Sequence, residues 1–199
     1  MSNKKEEKSG KAADAIRTFI CIEIPDSIKS RINKLQETLR KIDAQVSWSK
    51  PSNIHLTVKF LGNVESSRIE RVSKALERSA SGISPFEIEI GGVGCFPSPR
   101  SPRVLWVGVS TIPDQLRQLH ANIDEQLERE GFERETRKFS PHLTLGRIRA
   151  PLNSAEVAEA LIATGFESEA FIANDLILMR SDLKPTGSIY TPQTVISFL

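Results

Sequence analysis

From Arg17 to Ile24 polar and apolar residues alternate, with Thr18, Ile20, Ile22 and Ile24 on one face and Arg17, Phe19, Cys21 and Glu23 on the other. A period of two is that of a β-strand with one core face. Pro25-Asp26-Ser27 then marks a helix start, and Ile28, Ile32, Leu35, Leu39 and Ile42 recur at helical spacing, predicting about four turns of helix. A short strand from Val46 to Ser49, a turn at Pro51-Ser52-Asn53 and a strand from His55 to Leu61, closing on Gly62-Asn63, come next. A second helix is expected from Ser66 or Ser67 to about Ala80, and Phe86 to Ile90 alternates as another strand. The stretch from Gly91 to Pro102 is dense in Gly, Pro and Ser; it reads as a loop, and as the seam between two lobes.

Beyond that seam the order of elements recurs. Arg103 to Val109 reads as a strand, Pro113-Asp114 opens a helix carrying Leu116, Leu119, Ile123 and Leu127, and Pro141 precedes a strand from His142 to Leu145. A helix from Ser154 and strands at Phe171 to Met179 and Thr194 to Leu199 complete the chain. The same interval of 87 residues separates His55 from His142, Thr57 from Thr144 and Phe19 from Trp106, and 88 residues separate Asp26 from Asp114. That period is too long for a solenoid. It predicts an α+β fold of two similar lobes about a pseudo-twofold axis: one bilobal domain over 15–199, with repeats at about 15–92 and 103–199.

The 199 residues are 39% hydrophobic and 26% charged, the balance of a soluble globular protein. A formal net charge of +2 creates no global field, so contact with a polyanion would need a local basic patch. Residues 1–14, rich in Lys, Glu, Ser and Gly, are expected to form a disordered leader, and neither they nor any later segment has the apolar run of a signal peptide or membrane span. Cys21 and Cys95 are far apart and in no metal-binding spacing, which points to a reduced, cytoplasmic setting.

The chemistry concentrates on the two repeated strands, both of which read His-Leu-Thr-aliphatic. Alternation puts His55 and Thr57 on one face with Leu56 and Val58 on the other, and His142 and Thr144 opposite Leu143 and Leu145. A single His-x-Thr on a strand is ordinarily a packed pair; its duplication at equivalent positions indicates a site. Two imidazoles suit a reaction that takes one proton and gives another at neutral pH. Phosphodiester hydrolysis is such a reaction, and threonine hydroxyls can donate to the non-bridging oxygens as charge builds there. Paired histidines could alternatively bind a metal, but neither motif supplies a clustered third ligand, so no metal is expected. The absence of G-x-x-x-x-G-K-[ST], G-x-S-x-G and Rossmann glycine patterns leaves no cofactor implied.

Four further residues are candidates for substrate binding. Phe19 lies on the non-core face of its strand and Trp106 holds the equivalent place, so either could stack on a base, core packing being the alternative. Lys59 should share a face with His55 and Thr57, and Arg147 follows the second motif, so both could meet phosphate. His120, in the second-half helix, lacks a partner threonine and is read as an ordinary helix residue.

Together, Arg17-Thr-Phe-Ile, Asn53-Ile-His-Leu-Thr-Val-Lys-Phe-Leu-Gly62, Pro102-Arg-Val-Leu-Trp106, Phe139-Ser-Pro-His-Leu-Thr-Leu-Gly-Arg147, Ser181 and Gly187-Ser-Ile-Tyr190 resemble the 2H phosphoesterase superfamily. The similarity is to its RNA 2',3'-cyclic phosphodiesterase branch, long called 2'-5' RNA ligase. The resemblance implies two antiparallel sheets flanking a central cleft, helices outside and no metal requirement. It implies that His55 donates a proton to the departing 3'-oxygen and that His142 accepts one from water, leaving a 2'-phosphomonoester. The expected partner is RNA with a 2',3'-cyclic phosphate end, or a related cyclic nucleotide, with no membrane and no obligate protein partner, the chain acting as a monomer. Superfamily members also act on 2'-5' linkages and ADP-ribose cyclic phosphate. A 2'-5' phosphodiesterase or ligase, or a non-catalytic RNA-end binder, are therefore the alternatives. Gly146 stands where the family often has Ala.

Overall fold

Each half of the chain opens with a strand that feeds a helix through Pro-Asp: β1 (Ala15–Ile22) into α1 (Asp26–Leu39), and β5 (Ser101–Val109) into α3 (Asp114–Arg129). The carbonyls of Pro25 and Pro113 accept the first helical bonds, from Lys29 and Arg117. Asp26 and Asp114 place negative charge in the first turn, where the helix dipole favours it. The computed structural model describes residues 14–185 and 187–199. All of the expected leader but Asp14 lies outside them, and the Asp14 carbonyl accepts bonds from the amide and hydroxyl of Ser66.

The remaining elements are β2 (Val46–Trp48), β3 (Leu56–Glu65), α2 (Ile69–Ala80), β4 (Phe86–Ser98), β6 (His142–Ile148), α4 (Ser154–Thr164), β7 (Glu169–Ala173), β8 (Asp175–Lys184) and β9 (Gly187–Ser197). They form two antiparallel sheets, ordered β3-β1-β8-β9 and β2-β6-β5-β4-β7. The α+β class and the duplication are thus as read from the sequence. Helix α2 packs on β8 and β9, α4 packs on β4 and β5, and the contacts of α2 with α3 and of α1 with α4 tie the halves together. One continuous cluster of buried aliphatic side chains runs through both, from Ile20, Ile28 and Leu76 to Leu116, Leu143 and Leu161.

Three expectations are corrected. Gly91 to Pro102 is not a loop: β4 continues to Ser98 and turns directly into β5. Gly94 marks close packing rather than a break, since a Cβ there would come within 2.4 Å of the Trp106 ring. The halves join through that hairpin and trade strands: β4, from the first, pairs with β5, while β8, from the second, pairs with β1. The stretch Phe171 to Met179 is two strands broken at Asn174, where the chain leaves one sheet (β7 beside β4) and enters the other (β8 beside β1). Finally, β1 has two buried faces. As a central strand it carries Phe19 and Cys21 against Ile177 and Met179, with Tyr190 alongside, on the face expected to be open.

Candidate functional site

Both His-x-Thr motifs end in the same irregularity. In the β1–β3 ladder Cys21 opposes Thr57 and Ile20 opposes Lys59, so Val58 has no partner; in the β5–β6 ladder Trp106 opposes Thr144 and Leu105 opposes Gly146, so Leu145 has none. Each is a one-residue bulge directly after the threonine, and a bulge reverses the facing of the residues beyond it. Directly opposed residues share a face. Thr57 therefore lies with Cys21 on the cleft side, Lys59 with Ile20 on the helix side, and Phe60 with Phe19 back on the cleft side.

That reversal corrects the expectation for Lys59. The side chain is buried, ion-paired with Asp124 of α3, and donates to the Glu133 carbonyl, and it does not line the cavity between the sheets. The same reversal puts Arg147 and its first-repeat counterpart, Phe60, 87 residues earlier, on the cleft side, and both line the cavity between the sheets. Gly146, the counterpart of Lys59, faces β2, where a Cβ would lie 2.7 Å from Val46 Cγ1 and 3.1 Å from the Trp48 ring. An alanine at this position would force the Val46 side chain to give way.

The cavity has a volume of about 290 Å³ and is lined by His55, Thr57 and Thr144, with Arg17, Arg147 and Ser181 around them. Its aromatic wall is Phe19, Phe60 and Tyr190, and among the described residues no carboxylate lines it. The two threonines, one from each repeat, thus share a single anion-accepting space. His142 is not part of the lining; it sits two residues before Thr144 on the same face of β6, in unbroken register.

Each imidazole is set among aromatic neighbours, and His142 is also held by a backbone carbonyl two residues upstream. His55 stacks on Phe19 with 4.5 Å between centroids, and Tyr190 meets it edge-on at 5.3 Å. Burial pushes the His55 pKa down to about 4, with the Asn53 backbone opposing the shift and Lys29 adding repulsion. Asn53 is itself fixed, donating from Nδ2 to the Ser188 carbonyl at 2.8 Å. His142 meets Phe96 edge-on at 5.1 Å, with Trp106 beyond at 6.4 Å. Its Nδ1 bonds the Ser140 carbonyl at 2.7 Å. As a neutral donor there, it leaves the Nε2 lone pair free. Burial lowers its pKa too, the Ser140 carbonyl opposing and Arg147 reinforcing the shift.

The candidate base-stacking residues are otherwise employed. Phe19 is only 3% exposed and gives its ring to His55. Trp106 lies over Gly94, close to Phe96, with its indole N–H buried and unpartnered. Phe60, 62% exposed, and Tyr190 present the aromatic surface that Phe19 does not. Strict alternation from His55 assigns Phe60 to the core, and only the bulge overturns it. His120 stacks on Phe139 at 4.0 Å, outside the cavity. Among the described residues no three of His, Cys, Asp and Glu cluster closely enough to hold a metal, and no helix is long and apolar enough to cross a membrane. Cys21 and Cys95 are free and buried, and burial raises both thiol pKa values.

Fold and cavity together define a duplicated α+β protein in which twin strands bring two hydroxyls to one anion-accepting space. The chain belongs to the LigT-like phosphoesterases: the family model described as LigT like Phosphoesterase matches it twice, at residues 22–106 and 107–190. It is 35% identical over 181 residues to the RNA 2',3'-cyclic phosphodiesterase of Methanothermobacter thermautotrophicus, covering 90% of this chain and 97% of that one. The RNA 2',3'-cyclic phosphodiesterase of Archaeoglobus fulgidus is 35% identical over 178 residues, covering 88% and 96%. The crystal structure of E. coli LigT complexed with 3'-AMP has the same fold, with a TM-score of 0.75 at 23% identity over 93% of this chain and 99% of the other.

Proposed function

We propose that the protein hydrolyses RNA 2',3'-cyclic phosphate ends to 2'-phosphomonoesters without a metal. The observation that carries this reading is that Thr57 and Thr144, from equivalent bulged strands, line one cavity together with His55, with no carboxylate lining it among the described residues, while His142 sits two residues before Thr144 on the same strand face. The two curated relatives at 35% identity, both RNA 2',3'-cyclic phosphodiesterases, support the substrate.

In this mechanism the cyclic phosphate sits between the threonines, whose hydroxyls donate to its non-bridging oxygens, with Arg147 adding positive charge. His142, with Nδ1–H given to Ser140, takes a proton on Nε2 from the water that attacks phosphorus. The bond from phosphorus to the 3'-oxygen breaks, and that oxygen leaves with the proton of His55, while the 2'-oxygen keeps the phosphate. His55 must be protonated for this step although burial depresses its pKa. The anionic phosphate placed beside it favours the imidazolium, so substrate binding arms the acid.

The test is to incubate the protein and a chelator with an RNA ending in 2',3'-cyclic phosphate and to identify the terminal phosphate by ³¹P NMR. The 2'-phosphate is expected. His55→Ala and His142→Ala should each lower kcat by about 10²–10⁴-fold. Full activity in both variants would reject the acid/base pair, and activity abolished by chelation would reject the metal-free mechanism.

A further inference from the structure

We propose that a basic groove continuous with the cavity carries the RNA strand on the 5' side of the cyclic phosphate, so that an oligonucleotide, not a cyclic mononucleotide, is the preferred substrate. The proposal rests on the phosphodiesterase reading above and adds to it the length and path of the substrate.

The groove encloses about 510 Å³ and opens from the cavity through shared walls, Asn53, Arg147, Ser188 and Tyr190 belonging to both. It runs between the end of β2, the end of β6 and the β8–β9 hairpin. Lys50, Arg149 and Lys184 join Arg147 along it, and among the described residues no acidic side chain lines it. A chain whose formal net charge is only +2 thus concentrates four cations on one surface leading out of the site.

These cations are also available. Most lysines and arginines that contact carboxylates in this protein do so within 3.2 Å, as Arg31, Arg71, Arg78, Arg134 and Arg180 do. Among the described residues none of Lys50, Arg147, Arg149 and Lys184 has a carboxylate within 4.0 Å. The Arg149 guanidinium is steadied by donation to the Ser47 hydroxyl, a neutral partner, at 3.1 Å. Lys50 reaches across to the hairpin, its ammonium lying 3.6 Å from the position a Cβ on Gly187 would take.

The chemistry of the substrate decides what such a groove is for. A 2',3'-cyclic mononucleotide carries one phosphate, and the cavity takes it. RNA adds a phosphodiester anion for every nucleotide upstream, which unpaired Lys and Arg bind without regard to sequence.

The test compares kcat/KM for three substrates: an RNA octamer ending in 2',3'-cyclic phosphate, adenosine 2',3'-cyclic phosphate, and that nucleotide carrying a 5'-phosphate. Wild type and the triple variant Lys50→Ala/Arg149→Ala/Lys184→Ala are assayed. Wild type should favour the octamer over the plain mononucleotide at least about tenfold at low salt, and the variant should lose that preference while keeping its mononucleotide rate. Each phosphate contact contributes about 0.7 to the log–log salt slope for single strands, so the variant's slope should be shallower by about 2. An octamer preference unchanged in the variant would overturn the proposal. So would a 5'-phosphorylated mononucleotide that already shows the full gain. Anisotropy of a labelled octamer ending in 2'-phosphate separates the two readings. If no substrate is hydrolysed but the triple variant weakens octamer binding at least about tenfold, the catalytic reading falls and the groove stands. Rapid hydrolysis with variant-insensitive binding leaves catalysis and removes the groove.

Discussion

Acidification should destabilise the free protein through His55, by an amount the structure sets. Its imidazole would titrate near 6.5 in an unfolded chain and near 4 in the folded one, chiefly because the ring is buried against Phe19 and Tyr190. The difference of about 2.5 units, at 1.36 kcal/mol per unit, corresponds to about 3 kcal/mol. Between those two values the unfolded state binds more protons, so stability rises with pH in that window; nothing is lost well above 6.5, and most of the loss is complete at 4. The perturbation is His55→Asn, which keeps a polar side chain at this position and cannot titrate. Urea unfolding at several pH values from about 8 to 4 should show the wild type losing about 3 kcal/mol relative to the variant. The His142 contribution, common to both proteins, cancels. Adding a nucleotide 2'-monophosphate should shrink the gap, because a bound anion raises the His55 pKa. Parallel curves for the two proteins would refute the burial account of this histidine.

Three other outcomes are expected. Because burial lowers both imidazole pKa values, the bell of kcat/KM against pH should centre below 6.5, with the kcat profile displaced upward by bound phosphate; a kcat/KM maximum above 7 would contradict this. Lys59→Met should destabilise by about 3–5 kcal/mol in urea unfolding by leaving Asp124 buried without its cation, while kcat per folded molecule stays near wild type; a selective loss of kcat would return Lys59 to the site. Phe60→Ala should leave the melting temperature nearly unchanged and lower kcat/KM on cyclic-ended RNA by about 1–3 kcal/mol if a base stacks on the ring, and an unchanged kcat/KM would remove Phe60 from the substrate surface.

The periodicity of the chain disclosed most of the secondary structure because helix and strand patterns in this sequence are well separated by Pro-Asp starts and bounded apolar runs. The duplicated His-Leu-Thr was equally legible, since its meaning lies in an interval and not in a contact. Strand exchange was not, because pairing partners are chosen by three-dimensional packing that leaves no mark on local alternation. The bulges at Val58 and Leu145 were hidden for a related reason: an unpaired residue is defined by the opposite strand. The facings of Lys59, Phe60 and Arg147 all depend on them. Gly94 misled in another way, its missing side chain serving the Trp106 ring rather than a turn.

The reciprocal placement of β4 and β8 bears on how such a molecule could arise. A polypeptide of half this length would leave one strand without its proper neighbour and would expose a raw sheet edge, a state prone to association. Two copies would cure one another by lending that strand across, and the same embrace would bring one threonine from each to a common cavity. On this topology the homodimer is the smallest complete unit, and joining its ends through a tight hairpin frees each copy to diverge, as Phe60 opposite Arg147 records.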